Sequence, residues 1–249
     1  MSINQELEQL FANWKQASEK KGDSKFFCKD GLVCKPRVIE NLWLNANRRV
    51  LFLLKDQNQD ADSDKHWDDD ARCWFNNDKI YEIPFFKNLA YCLYAILNPE
   101  KSFETIAQEN IIEFSDNTPF AYVEAKKQPG KGSISENELK RYLENYKDFL
   151  KEEISILNPD VIVNCCGDPV GWDFVNSEIF SNSPNKHCYR NEFDSKKRAT
   201  VIYYKDVNKL HIMLPHPSTP SIKNNPKNFF DFVMYPYKDF LKEYPDWLK

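Results

Sequence analysis

The sequence predicts an α/β protein of three layers, α/β/α, in which helices cover both faces of a central, mainly parallel sheet. Short apolar runs typical of buried strands alternate along the chain with amphipathic segments that have the period of helices. Strands separated by helices usually lie parallel, with the helices packed above and below them. Hydrophobic residues make up 41% of the 249 residues, which is enough to build such a core.

Five segments are predicted as strands because they are short, apolar and rich in branched or aromatic residues. They are residues 49–54, 120–124, 161–163, 200–204 and 210–214. In open α/β sheets, ligands bind beyond the carboxyl ends of the strands. The functional site is therefore expected in the loops that follow four of these strands, at residues 55–60, 124–132, 164–169 and 215–220.

Four segments have the pattern of amphipathic helices. Two begin with capping boxes, formed by Ser2 with Gln5 and by Ser135 with Glu138, and a third begins at a proline. The predicted helices are residues 2–18, 84–97, the segment from the second box to about 157, and 229–241. No linker interrupts them, so a single domain over 1–249 is predicted, with 1–45 as a helix and irregular lead-in and 46–249 as the α/β core.

Charge and cysteine content narrow the class of protein. A net charge of −4 excludes a protein coated in positive charge, while local basic residues keep nucleic-acid binding open. The seven cysteines have no Cys-x-x-Cys spacing, so neither a metal site nor a cofactor is predicted. The N-terminus lacks the pattern of a signal peptide and no apolar run has the length of a membrane span, so we expect a cytoplasmic monomer without membrane contact.

Five segments, in this order, resemble motifs of the uracil-DNA glycosylase superfamily. The first and third are apolar strands ending in polar residues, the second is a proline-led helix start, the fourth is the strand after a long helix, and the fifth is similar to the family's His-Pro-Ser loop. These segments are residues 50–58, 83–89, 120–127, 157–163 and 214–218. Together they span most of the chain, and they imply a uracil-DNA glycosylase-like fold.

The same motifs depart from the family pattern at several positions. Lys55 stands where the family has glycine, and Asn58 where it has proline. Gln57 aligns with the acidic or amide position, with Asp56 one residue earlier. Glu124 takes the place of the asparagine that reads uracil. The resemblance therefore transfers the fold more readily than the activity.

The resemblance implies a hydrolytic DNA glycosylase that acts on a flipped, damaged or modified base, with single- or double-stranded DNA as its partner. Asp56 or Gln57 would hold or activate water, and His216 would donate to the leaving base. The other implied contacts are to the substrate, from Asn58, Phe86, Asn88, Glu124 and Ser218, and to phosphates, from Lys126, Lys127 and Lys131.

Glu124 carries a separate expectation about the base. An ionised glutamate only accepts hydrogen bonds, whereas asparagine donates and accepts. An ionised Glu124 would favour an edge rich in donors, which shifts the preference from plain uracil toward an amino-bearing or modified base.

Each candidate also has a purely structural interpretation. In that interpretation His216 fixes a turn, Glu124 pairs with a lysine, and Asp56 caps a helix. Two further functions fit the sequence. One is a non-catalytic module of the same fold that binds nucleic acid or a nucleotide. The other is a hydrolase of free nucleosides or nucleotides, which suits the acidic pI of about 5.7.

Overall fold

A mixed sheet of seven strands runs through the described part of the chain, with the order β1-β3-β2-β4-β7-β6-β5. In the computed structural model, the described residues are 1–23, 26–33, 39–58, 70–130, 134–167, 170–190 and 199–248. The strands are β1 (Gly31–Val33), β2 (Val50–Asn58), β3 (Phe120–Gly130), β4 (Val161–Asn164), β5 (Lys186–Arg190), β6 (Thr200–Tyr204) and β7 (Lys209–Met213).

Helices cover both faces of this sheet. They are α1 (Ile3–Lys20), α2 (Ile39–Leu44), α3 (Pro84–Leu97), α4 (Phe103–Ile106), α5 (Ile111–Asn117), α6 (Glu136–Leu157), α7 (Val170–Phe174), α8 (Pro220–Lys223) and α9 (Pro226–Glu243). One buried cluster joins α3 and α9 to the sheet, and a second joins α1 and α6 to the opposite face. Within the described residues, no helix is long and apolar enough to cross a membrane.

The five predicted strands and four predicted helices are all present, but the prediction of a mainly parallel sheet is only partly right. The four central strands β3, β2, β4 and β7 are parallel, whereas β1, β5 and β6 pair antiparallel, so three of the six pairings are parallel. The turn Lys205–Asn208 between β6 and β7 explains the difference at one edge. It is too short for the crossover that parallel strands need.

The N-terminal segment is more than the lead-in that the sequence predicts. Helix α1 begins with the expected capping box and packs against α6, and β1 forms an edge of the sheet beside β3. Asp30, immediately before β1, is fully buried. Residues 1–45 therefore supply both a covering helix and an edge strand.

Strands β2 and β3 continue past their predicted ends. The polar residues expected in loops instead pair with one another, with Asp56 opposite Lys126 and, after a register shift, Asn58 opposite Gly130. The apolar pattern stops at Leu54 because the side chains beyond it are polar, while the backbone hydrogen bonding continues. The site residues of both strands are therefore fixed by sheet geometry.

Side-chain alternation along β3 sends adjacent lysines to opposite faces. Glu124 and Lys126 share the face of Tyr122, which packs in the α3–α9 cluster. Lys127 lies on the other face, among α1 and α6, with no exposed side-chain area. Its Nζ is 2.6 Å from the Asp30 carboxylate and 2.8 Å from Oε2 of Glu153. The expectation that Lys127 grips phosphate is wrong, because its ammonium is enclosed by the carboxylates of this buried ion network and is not exposed to solvent.

Replacing Lys127 with methionine should destabilise the fold strongly. The substitution leaves Asp30 buried without its counterion, which costs roughly 3–5 kcal/mol in comparable sites. Lys126→Met is the matched control on the neighbouring residue, whose side chain is 11% exposed, and we expect a much smaller loss. Urea unfolding of both variants measures the difference, and equal losses would contradict the role of the network.

Candidate functional site

Polar side chains from four parts of the chain lie at the carboxyl ends of the parallel strands. Asp56 on β2 and Glu124 on β3 share one sheet face, because Leu54 pairs with Glu124 and Asp56 pairs with Lys126. Helix α3 contributes Asn88, and the loop after β7 contributes His216. The side-chain amide of Asn88 donates to the carbonyl of Pro217 at 3.1 Å, which ties the helix to that loop.

Asp56 is a buried carboxylate with incomplete charge compensation. Its side chain is 8% exposed, and the nearest ammonium, Nζ of Lys126, lies 3.8 Å from its Oδ2. Burial raises the pKa of Asp56 from 3.8 to about 6, against the opposing effect of Lys126. Asp56 is therefore mostly ionised at neutral pH, and it is a stronger base than an exposed aspartate.

Gly130 makes room for the Asp56 carboxylate. A Cβ at position 130 would lie 1.8 Å from Oδ2 of Asp56 and 3.0 Å from its Cγ. No side chain larger than hydrogen fits without moving this carboxylate. The absence of a side chain at position 130 therefore leaves the space that the Asp56 carboxylate occupies.

Glu124 is buried beside a tyrosine and two other acids. It is 3% exposed, its Oε1 accepts a hydrogen bond of 2.6 Å from the Tyr122 hydroxyl, and its backbone N–H donates to Asp30. Burial is the main cause that raises the pKa of Glu124 to about 8, and Asp30 and Asp56 add to it. The carboxyl is therefore mostly protonated at neutral pH. The expected preference for an edge rich in donors depended on an ionised Glu124, and burial disfavours that form.

His216 is a neutral imidazole with a defined tautomer. Burial, and then the nearby ammonium of Lys55, lower the pKa of His216 to about 4. Its Nδ1 lies 3.3 Å from the backbone N–H of Ser218 and accepts from it. The single proton of a neutral ring is then assigned to Nε2, which becomes a hydrogen-bond donor. The sequence left the protonation state of this histidine open.

A chain of aromatic contacts links Glu124 to His216. Phe86 stacks on Tyr122 with ring centroids 6.3 Å apart, and it meets Phe85 edge-on at 4.8 Å. Phe85 in turn lies 5.4 Å from the His216 ring. Phe85, Phe86 and His216 are all partly exposed. Parts of all three rings are therefore accessible beside the packed core.

The remaining predicted site residues differ in their burial and in their contacts. Gln57 is 4% exposed, and neither of its amide atoms has a hydrogen-bond partner among the described groups. Ser218 is exposed in the loop of His216. The backbone of Asn58 pairs with Gly130 at the end of β2. Lys131 lies outside the described residues.

Three residues of the site were missed from the sequence. They are Tyr122, Gly130 and Lys55. The positive charge of Lys55 acts on both Asp56 and His216. Tyr122 could have been found, since it lies two residues before Glu124 and strand alternation puts both on one face. Gly130 carries no such signal, because its role depends on the register between β2 and β3.

Two further features of the described residues concern metal ligands and a groove away from this edge. No group of three or more His, Cys, Asp or Glu side chains in the described ranges is arranged to hold a metal ion. A groove of about 700 Å³ lies at the opposite end of the sheet, where Asn158, Pro159 and Lys209 precede or begin their strands. It shares no residue with the candidate site.

Comparison with known proteins does not identify a family for this chain. No model of a known protein family matches the chain, and no curated protein matches it. The likeness to the uracil-DNA glycosylase superfamily therefore rests on the five sequence motifs, and its activity enters only as a proposal.

Asp56→Asn should stabilise the protein at pH 8. The pKa of Asp56 is higher in the folded chain than in the unfolded chain, so ionisation lowers stability as pH rises from about 4 to 6. The asparagine variant cannot ionise, so its free energy of unfolding should exceed that of the wild type by on the order of 1–3 kcal/mol above pH 6. The difference should be near zero at pH 3.5. Urea unfolding at both pH values tests it. The exposed Asp148→Asn is the control, and a gain at neither pH would contradict the burial of this charge.

Gly130→Ala should displace the Asp56 carboxylate while the fold remains. The methyl group would overlap Oδ2, which can move because it ends a side chain. We expect the carboxyl resonance of Asp56 in an NMR titration to shift its midpoint from about 6. An unchanged midpoint, in a variant with wild-type circular dichroism, would show that the strand end accommodates the methyl group in another way.

Proposed function

We propose that the chain is a hydrolytic DNA glycosylase of uracil-DNA glycosylase-like fold, acting on a flipped damaged or modified base. The observation that carries the proposal is a pair of groups at one sheet edge: a buried carboxylate ionised near neutral pH, Asp56, and a neutral imidazole that donates through Nε2, His216. Cleavage of an N-glycosidic bond needs a base on one side of the sugar and a donor at the leaving base.

The proposed reaction assigns one role to each of these groups. Water held by Asp56 attacks the anomeric carbon and gives its proton to the carboxylate. The bond from this carbon to the base nitrogen breaks, and its electron pair leaves with the base. Negative charge then grows on the base, where the Nε2–H of His216 stabilises it. A neutral donor suffices for this role, and the low pKa of about 4 keeps His216 neutral across the working range.

The surrounding residues supply binding in this proposal. Phe86 provides a ring face for the flipped base, and Glu124 meets its polar edge. Asn88 holds the His-Pro-Ser loop through Pro217. Lys126, whose Nζ lies near Asp56, orients the carboxylate more than it grips phosphate, because its ammonium also donates to the carbonyl of Gln128 at 3.0 Å.

One observation favours a second candidate, a hydrolase of free nucleosides or nucleotides. Of the three lysines expected to grip phosphate, Lys127 is fully buried and Lys126 is only 11% exposed. The described residues therefore offer little basic surface from this set. A steep decrease of binding with salt would identify DNA as the partner, whereas a small substrate would show a weak dependence.

His216→Ala should lower base release by roughly 10²–10⁴-fold, the usual contribution of a positioned proton donor. The assay uses labelled single- and double-stranded oligonucleotides carrying uracil, hypoxanthine, xanthine, or oxidised or methylated bases. His187→Ala, at an exposed histidine on β5, is the matched control and should leave release unchanged. DNA binding without release of any base would instead indicate a non-catalytic module.

The pH profile of base release should rise up to about pH 6 and then level off. Below this value Asp56 is protonated and cannot accept the proton from water, so the rate falls about tenfold per pH unit. Initial rates of base release between pH 4 and 7 measure this limb. A rate that is independent of pH across this range would exclude Asp56 as the base.

A further inference from the structure

Strand β5 ends the sheet, and one of its edges has no neighbouring strand among the described residues. On its other side it pairs antiparallel with β6. Lys186, His187, Cys188 and Arg190 are exposed, so the free edge is open to solvent. An open edge presents a row of N–H and C=O groups that can pair with a strand of another chain.

The register with β6 determines which backbone groups of β5 point outward. The N–H of Lys205 donates to the carbonyl of Asn185 at 3.1 Å, so these two opposed residues form a hydrogen-bonded pair. Along an antiparallel ladder such pairs alternate with pairs that are not hydrogen-bonded. The backbone groups of Lys186, Cys188 and Arg190 therefore point away from β6.

The side chains of the same three residues share one face of β5, because alternate residues of a strand do so. They form an exposed row with a cation at each end, Lys186 and Arg190. The ion pair of this strand belongs to His187 on the other face, whose Nδ1 lies 3.5 Å from Oε1 of Glu243. Within the described part of the chain, the two cations of the row have no carboxylate partner.

The other face of β5 is aromatic and packs on helix α9. The Tyr189 ring lies 5.8 Å from the ring of Phe240, and its hydroxyl donates to Glu243 at 2.6 Å. Tyr189 and Tyr244 are both only partly buried. A strand added to the edge would extend this face, where its apolar side chains could pack against the rings.

We propose that the free edge of β5 binds an extended acidic segment of another protein, which joins the sheet as an additional strand. The segment carries carboxylates opposite Lys186 and Arg190, and apolar side chains opposite the two residues on the α9 face. Directly opposed residues of unlike charge stabilise a pair of strands, and like charges destabilise it. Backbone hydrogen bonds supply the affinity of such an added strand, and side chains supply its selectivity.

The same two cations disfavour a second copy of this chain as the occupant. A two-fold dimer through β5 is antiparallel, and its longest overlap puts Cys188 opposite Cys188. Lys186 of each copy then lies opposite Arg190 of the other, which opposes like charges twice. Charged side chains on edge strands commonly prevent self-pairing in this way. The row therefore selects against an identical strand and in favour of an acidic one.

The edge is separate from the candidate site. Strand β6 lies between β5 and β7, whereas the site is formed by β2, β3, α3 and the loop after β7. An added strand leaves the site open, so this inference does not depend on the proposed function.

A short peptide tests the inference on the full chain. The probe is acetyl-Glu-Val-Thr-Val-Glu-amide, whose pattern is the same in both directions, and acetyl-Lys-Val-Thr-Val-Lys-amide is its control. Titration followed by NMR of the backbone amides should give at least about tenfold tighter binding of the acidic peptide. Amide hydrogen exchange should slow at Lys186, Cys188 and Arg190. It should stay unchanged at His187 and Tyr189, whose N–H groups already face β6.

Cys188→Pro removes the central outward N–H and should weaken binding of the acidic peptide by about tenfold or more. The fold should tolerate this proline, because the lost N–H does not pair with β6. Cys188→Ser keeps the N–H and is the matched control, with binding as in the wild type. The double variant Lys186→Glu, Arg190→Glu should bind the basic peptide more tightly than the acidic one, and it keeps the test open if the proline variant does not fold.

Several results would overturn the inference. Equal affinity for the two peptides would contradict the charge selectivity. Slower exchange that spares Lys186, Cys188 and Arg190, or undiminished binding by a folded Cys188→Pro variant, would contradict strand addition. No binding of the acidic peptide at concentrations on the order of 5 mM would contradict both. A dimer in sedimentation equilibrium under a thiol reductant, abolished by Cys188→Pro, would assign the edge to a second copy instead.

Discussion

The parallel pairing of β2 with β3 is the constraint on which the candidate site depends. It places Glu124 beside Leu54 and Lys126 beside Asp56, and its register shift brings Gly130 against the Asp56 carboxylate. Both strands continue in the sheet beyond their apolar parts, so the acids are held by backbone hydrogen bonds. The backbone pairing thus sets the point on the sheet from which each acid projects.

Removal from water gives the polar groups of the site their different states. The same cause, burial, raises the pKa of Asp56 to about 6 and of Glu124 to about 8, and lowers that of His216 to about 4. At neutral pH the three side chains are therefore an anion, a neutral acid and a neutral donor. Neighbouring titratable groups with pKa values pushed apart are typical of sites that transfer protons.

Each face of the sheet carries its own cluster of charged side chains, and the two clusters are connected at the backbone of Glu124. On the α1–α6 face, Lys127 is enclosed by Asp30 and Glu153, and on the other face Asp56 and Lys126 stand near Glu124. Asp30 connects them, because it also accepts from the backbone N–H of Glu124 at 2.8 Å. The buried network thus fixes the strand that carries the site acid, and it holds Lys127 on the other face, from which its charge only partly offsets the effect of burial on Glu124.

The sequence alone determined five of the seven strands and four of the nine α-helices of the described chain, and the edge of the sheet where the polar residues collect. Apolar runs, capping boxes and Pro84 are local signals, and local backbone preferences suffice to place the strands and helices they predict. The tertiary structure decided the antiparallel edges, the separation of Lys126 from Lys127, and the contacts of Tyr122 and Gly130. It also decided the charge of Asp56, Glu124 and His216. These properties depend on which groups from distant parts of the chain exclude water around a side chain, and no local pattern contains that information.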